Sequence, residues 1–366
     1  MSELPGQKSG CVLVTNIPAP YRNKVFSLVH TLPFEVFFCS KTEANRNWSG
    51  LPFAFKHRFL AGRTFRKQDG YNFVHHNFEV FRALSEASPD VVITTGFNPT
   101  HLYAFLWCVI HRSHHVCMSD GSMHSESKLS LLHRWVRRIV FSLSDAFIAA
   151  SQSGVVLYQS YGISRDQIFR TYLCADNDHF FKLSSSAPRP YDVCFSGQFT
   201  ERKLPFFFAD ICRQIKSKIG FCKALVLGDG PLNNQFLSQL ESYEIDFHYA
   251  GFLQQEELPE AYVKAKLLLF PTLNDPWGVV ANEAMAAGTP VMTTPFAGVA
   301  HELVLDSVTG FVCDLDVNLW VDRALSVIED QERWFIMSKN ARNLVKEYTY
   351  QKAAEGIEAA CAYALS

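Results

Sequence analysis

The chain has 366 residues, enough for two domains at roughly 100–200 residues each, and 48% of it is hydrophobic, enough for two cores. A formal net charge of −2 argues against a dedicated nucleic-acid binder or a supercharged tail. The ten cysteines form no C-x-x-C pair and no zinc-like cluster, and they fit buried thiols in a reducing compartment better than a disulfide framework.

Residues 1–8 carry no apolar signal-peptide core. The longest apolar run, residues 102–110, falls well short of the ~20 residues of a membrane span. The expectation is a soluble cytoplasmic protein, with peripheral contact at the inner face of the plasma membrane left open. From the N-terminus, Cys11-Val-Leu-Val-Thr15 reads as a strand, residues 23–30 as a helix and Glu35-Val-Phe-Phe-Cys39 as a strand. Strands are also expected at 90–94, 115–118 and 146–149, each followed by a helical pattern. Such near-continuous apolar strands suit a parallel sheet covered on both faces. A serine- and proline-rich stretch at 184–190 then reads as a linker. Alternation resumes with strands at 192–195, 224–227, 247–249, 267–270 and 291–293. The fold expected is α/β with two doubly wound, Rossmann-like domains facing across a cleft. The first would span 1–183 and the second 191–348, with a final helix at 349–366 packing back on the first.

The most informative stretch is Asn274-Asp-Pro-Trp-Gly-Val-Val-Ala-Asn-Glu-Ala-Met-Ala-Ala-Gly288. Asp275 is suited to cap a helix, with Pro276 in its first turn and Gly288 at its end. Glu283 would have only Val279, Val280, Ala286 and Ala287 as helical neighbours. A carboxylate on an apolar face is costly without a partner, and a ligand hydroxyl is one such partner. Eight helical residues span about 12 Å. That is comparable to the reach from a nucleotide ribose to a sugar across its diphosphate, with the helix N-terminus favouring the diphosphate between them.

This segment resembles the E-x7-E motif of glycosyltransferase family 4, whose members have the GT-B fold. Gly278, the run from Glu283 to Val291, Gly298 and Thr309-Gly-Phe-Val312 also match that family's pattern. The resemblance implies a retaining, metal-independent hexosyltransferase. It would use a UDP- or GDP-linked sugar as substrate, bind no cofactor, and act on a glycan or lipid-linked acceptor in surface polysaccharide or glycoconjugate assembly. Glu283 would bind the donor ribose and Asp275 the hydroxyls of the transferred sugar, although Asp275 stands where relatives usually have glutamate. Pro276, Trp277, Gly278 and Val279 would line the donor site.

In Phe195-Ser-Gly-Gln-Phe-Thr-Glu-Arg-Lys203, Gly197 opens the turn that in the family carries Gly-Arg and then a lysine. Gln198 holds the arginine position and Lys203 the lysine position, with Arg202 available as a second charge on the diphosphate. Gly228, Gly251 and Phe252 match the family's later turns, the last pair near the base.

In the first domain, Asn16-Ile-Pro-Ala-Pro-Tyr-Arg22 resembles the opening of bacterial polysaccharide-assembly members. Asn16, Arg22 and Asn98 are the expected acceptor-side residues, Arg22 being either a phosphate ligand or an ordinary ion pair at a helix start. Asp120 takes the strand-end position where many relatives have histidine, and is counted with the catalytic set.

The run 128–141 mixes His133, Arg134, Arg137 and Arg138 with Leu131, Leu132, Trp135, Val136 and Ile139. It reads either as a half-buried helix with a solvated basic face or as a helix lying on an anionic membrane. Asp176-Asn-Asp178 and Asp314-Leu-Asp316 spell D-x-D without supporting a metal site, and His111, His114 and His115 read as a loop cluster. No G-x-G-x-x-G follows the first strand, which argues against a nicotinamide dehydrogenase. The alternatives kept are a GT-B-fold nucleotide-sugar epimerase or phosphorylase, and a catalytically impaired nucleotide-sugar-binding protein.

Overall fold

The computed structural model describes residues 10–44, 48, 53–66, 73–183 and 188–366. Part of the expected linker, 184–187, and the N-terminal residues 1–9 lie outside them. The chain divides into two compact units, one of residues 1–173 with 350–366 and the other of 174–349. The break therefore falls between Leu173 and Cys174, ahead of the serine-rich stretch. Residues 174–183 go with the second unit because Asn177 Nδ2 donates to the carbonyls of Val345 (2.9 Å) and Tyr348 (3.1 Å).

In unit 1 the strands are β1 (Cys11–Thr15), β2 (Phe34–Phe38), β3 (Lys56–Phe59), β4 (Arg63–Arg66), β5 (Phe73–His76), β6 (Val91–Thr94), β7 (His114–Ser119), β8 (Ala146–Ala149) and β9 (Ile168–Arg170). Its helices are α1 (Pro20–Phe26), α2 (Glu79–Ala87), α3 (Pro99–His111), α4 (Met123–Ser127), α5 (Leu131–Ser142) and α6 (Gln152–Ser160). The main sheet is parallel with order β3-β2-β1-β6-β7-β8-β9, while β4 and β5 form an antiparallel ribbon. Val12, Val14, Phe37 and Val92 pack with α2 and α3, and Cys117, Phe147 and Ala149 with α3, α5 and α6.

The first helix starts earlier than expected, because Pro20 sits in its first turn, where its missing N–H costs nothing. His114 and His115 belong to β7 rather than to a loop. His115 is buried between the hydroxyls of Thr94 (3.0 Å) and Ser144 (2.8 Å). All ten cysteines are free and buried.

Unit 2 begins with α7 (Asn177–Phe181). Its strands are β10 (Tyr191–Ser196), β11 (Lys223–Leu227), β12 (Asp246–Gly251), β13 (Ala265–Phe270), β14 (Val291–Thr293) and β15 (Gly310–Val312). The helices that follow are α8 (Pro205–Ile219), α9 (Asn233–Ser242), α10 (Leu258–Tyr262), α11 (Val279–Ala286), α12 (Val317–Ile328) and α13 (Gln331–Val345). The sheet is again parallel, in the order β12-β11-β10-β13-β14-β15. Phe195, Phe199, Phe208 and Phe236 form a buried aromatic knot in its core. The last helix, α14 (Tyr350–Ala364), belongs to unit 1, where Thr171 Oγ1 donates to the Ala353 carbonyl at 2.6 Å.

Candidate functional site

Both sheets reverse their winding once, between β1 and β6 and between β10 and β13. At such a switch point the loops at the carboxyl ends diverge and leave a crevice suited to a ligand. In unit 2 the turn after β10 holds Gly197 and Gln198, and the loop after β13 holds Asp275. The neighbouring turns are tied to one another. Gly197 N donates to Leu227 O at 3.1 Å, and Gly228 N to Gly251 O at 2.8 Å. Gly228 has φ +117°, and a Cβ there would stand 1.9 Å from the Gly197 carbonyl oxygen. Only glycine fits so tight an approach. Gln198 accepts from Thr200 N at 3.0 Å through its carbonyl, and Phe252, just beyond β12, is 40% exposed.

Across the switch point, Lys203 and Arg202 converge on Asp275. Lys203 closes a 3-10 turn, Glu201–Lys203. Its buried Nζ ion-pairs with Asp275 Oδ2 and lies 4.3 Å from the centre of the Phe270 ring. Arg202 Nη1 reaches the same oxygen at 3.2 Å and the Asn274 carbonyl at 2.6 Å. Trp277 N donates to Asp275 Oδ1 at 3.1 Å. Burial pushes the Asp275 carboxyl upward, but Lys203 and Arg202 outweigh it and hold it below the ordinary value. Two cations on one carboxylate leave the cluster with a net positive charge.

Asp275 is not the helix cap. The helix begins at Val279, and its N-cap is Gly278 at φ +105°, where a Cβ would strike the Phe270 ring at 2.4 Å. Pro276 is exposed and outside the helix, and Trp277 is buried, with Nε1 donating to Asn282 Oδ1 at 2.7 Å. The carboxylate expected to cap α11 is occupied by cations from the β10 side, so the first four residues of the span from Asp275 to Glu283 are not helical.

Glu283 lies on α11, 8% exposed. Its Oε2 accepts from Tyr262 Oη at 3.0 Å, and Tyr262 Oη lies 2.7 Å from Ser196 Oγ. Tyrosine has one hydroxyl proton, which goes to the carboxylate, so Ser196 donates to Tyr262. Burial pushes the Glu283 carboxyl up to about 7, against the lowering effect of the Tyr262 hydrogen bond. Ser196 and Tyr262 were not among the expected site residues. The signal in the sequence is a tyrosine just ahead of a strongly apolar strand, whose hydroxyl needs a buried partner.

In unit 1, Asn98 Nδ2 donates to Asn16 Oδ1 at 3.0 Å, spanning the β1/β6 switch point. Arg22, 8% exposed, pairs with Asp120 at 2.9 Å. The second Arg22 amino group, Nη1, has no partner among the described residues. The three residues expected on the acceptor side, and Asp120 expected in the catalytic set, thus gather at one sheet edge. The D-x-D pairs act in helix capping: Asp176 accepts from His179 N and Asp316 from Leu319 N. Among the described residues no group of three or more His, Cys, Asp or Glu side chains is placed to hold a metal ion.

Residues 176–344 match the family model described as "Glycosyl transferases group 1". The chain is 28% identical over 141 residues to N-acetyl-alpha-D-glucosaminyl L-malate synthase of Bacillus anthracis, covering 38% of this chain and 35% of that one. It is 24% identical over 217 residues to the putative colanic acid biosynthesis glycosyltransferase WcaL of Escherichia coli K12, covering 57% and 53%. The chain thus spans about a third to a half of these curated relatives. Among solved structures, Alr3699/HepE of Anabaena in complex with UDP superposes with a TM-score of 0.74 at 15% identity, covering 95% of this chain and 98% of that one. The same Anabaena protein is also known in complex with UDP-glucose. These likenesses show the GT-B fold.

Proposed function

We propose that the chain is a retaining, metal-independent glycosyltransferase of family 4. It moves a hexosyl unit from a UDP- or GDP-linked sugar to a glycan or lipid-linked acceptor in surface polysaccharide or glycoconjugate assembly. The match of residues 176–344 and the relatives' names support glycosyl transfer. UDP and UDP-glucose bound to the Anabaena neighbour support a nucleotide-sugar donor.

The observation that carries the reading is the pairing of two features at the unit 2 switch point. One is Glu283, a buried carboxylate with one oxygen fixed by Tyr262 and its other oxygen left for a ribose hydroxyl. The other is the net-positive Arg202–Lys203–Asp275 cluster. In transfer the bond from the anomeric carbon to the diphosphate oxygen breaks, and the acceptor oxygen forms the new bond on the same face. The acceptor proton leaves with the diphosphate. Arg202 and Lys203 stabilise the charge that grows on the leaving group, which is where preorganised cations lower a barrier most. Asp275 fixes Lys203 through Oδ2 and keeps one lone pair of Oδ1 for a sugar hydroxyl.

The test is a thermal-shift panel of UDP- and GDP-sugars, since a ligand of the folded state raises its apparent stability. Product analysis with chelator present follows for any binder. A donor that binds and is transferred with its anomeric configuration kept supports the reading, with Asp275→Asn active at a few percent or less. Binding without transfer, conversion of the donor with no acceptor, or strict loss of activity with chelator would each overturn it.

A further inference from the structure

Helix α5 has two apolar faces, and only one of them is covered. Val136, Val140 and Phe141 pack against the unit 1 core. On the other side Leu131, Leu132 and Trp135 stand 81%, 66% and 61% exposed. A helix on a soluble domain normally carries one apolar stripe. Here Leu131 and Trp135, one turn apart, form a second, with Leu132 beside them. The helix is thus half-buried on its inner side, while its outer side carries this stripe together with the exposed Arg134 and Arg138.

The charge around the open stripe has one sign. Lys128, Arg134 and Arg138 are exposed, and among the described residues none pairs with a carboxylate. Arg134 donates to the Ser127 carbonyl at 3.2 Å, and Arg138 lies 6.0 Å from the Tyr161 ring. Arg137, on the inner side, is by contrast committed to Glu126 at 2.8 Å. Leucines and a tryptophan ringed by unpaired cations match the interface of an anionic bilayer. There tryptophan prefers the headgroup level and cations meet lipid phosphate.

We propose that the surface formed by Leu131, Leu132, Trp135, Arg134 and Arg138 of α5, with Lys128 just before it, docks unit 1 on an anionic lipid surface. Placement gives this surface a use. The chain runs from the carboxyl end of β7 through α4 into α5, so the stripe begins on the edge of the sheet that carries Asn16, Asn98 and Asp120. If the transfer reading above holds, a lipid-linked acceptor is presented at the edge where it is needed. Docking itself rests only on the α5 surface.

The test is co-sedimentation of the full chain with phosphatidylcholine vesicles and with mixed phosphatidylcholine–phosphatidylglycerol vesicles, without any donor. The wild type is expected to pellet with the mixed vesicles and not with the neutral ones. The pairs Leu131→Glu with Trp135→Glu and Arg134→Glu with Arg138→Glu should each lower partitioning at least about tenfold. Because these side chains are exposed, thermal midpoint and circular dichroism should stay unchanged, separating loss of docking from loss of fold. Trp135→Phe should remove the blue shift in emission that accompanies vesicle binding. The proposal is overturned if the wild type ignores anionic vesicles or if neither charged pair alters binding. It is equally overturned if the apolar pair instead disperses an oligomer, which would make the stripe a self-association surface. None of these outcomes bears on donor binding, so docking and transfer stand or fall separately.

Discussion

Replacing Glu283 with glutamine should move stability and donor binding in opposite directions. The carboxyl titrates near 7 in the folded protein against an ordinary 4.5, because burial disfavours its charged form. A carboxyl whose folded pKa is raised stabilises the fold fully below the ordinary value, and that contribution is lost as pH rises through the folded value. The shift from 4.5 to about 7 corresponds to about 3 kcal/mol at the high-pH limit. Glutamine keeps an oxygen for the Tyr262 hydroxyl and carries no charge, although its amino group then needs a partner of its own. Glu283→Gln should therefore stabilise the unliganded protein at pH 8 by about 1–3 kcal/mol. For a unit of this size that raises the midpoint by roughly 3–8 °C. At pH 5, where the wild-type carboxyl is already protonated, the difference should shrink toward zero. Affinity for the donor nucleotide should fall roughly 10- to 100-fold, as expected for losing a charge-assisted hydrogen bond. Thermal melts at pH 5 and 8, with calorimetric titration of UDP and GDP, read both quantities. A variant no more stable at pH 8, or one that binds both nucleotides like the wild type, would refute the assignment of a desolvated ribose carboxylate.

Lys203→Ala removes the buried cation between Asp275 and the Phe270 ring. It should lower kcat roughly 100- to 1,000-fold, as for loss of a preorganised charge at a leaving group, with a smaller change in KM in steady-state kinetics. Unit 1 should respond to acid in the sense opposite to the Glu283 effect. Burial pulls His101 and His115 down to about 3, so stability present above about pH 6.5 drains away as pH falls toward 3. Hydrogen exchange at pH 7 and pH 5 should show β6 and β7 losing protection on acidification, and His115→Gln should weaken that loss.

The parallel sheets were legible because their strands are buried on both faces and read as continuous apolar runs. Val12, Val14, Val92 and Leu267 to Leu269 are all at 0–3% exposure. The edge and ribbon strands were not, since Lys56-His-Arg-Phe59 and Arg63-Thr-Phe-Arg66 are half or wholly exposed and carry no apolar pattern. Glu283 stood out because its helical neighbours are all apolar, a local property. The cap reading of Asp275 fails, and its partners were hidden, because Lys203 and Arg202 lie 72 and 73 residues earlier and meet it only through the β10/β13 pairing. The open stripe on α5 was hidden for a related reason. Its sequence shows apolar residues, and only the packing of Val140 and Phe141 reveals which of them have been left outside.

The return of α14 to unit 1 also sets an order of events during synthesis. Unit 2 is one uninterrupted stretch, complete once Thr349 has emerged. Unit 1 is completed only by residues 350–366. Glu358 accepts from the backbone N–H groups of His30 (2.7 Å) and Thr31 (2.9 Å), and Cys361 packs against Cys11. Unit 1 therefore lacks α14 until residues 350–366 have followed unit 2 out of the ribosome. A stop codon at Tyr350 would leave unit 2 whole and deprive unit 1 of α14.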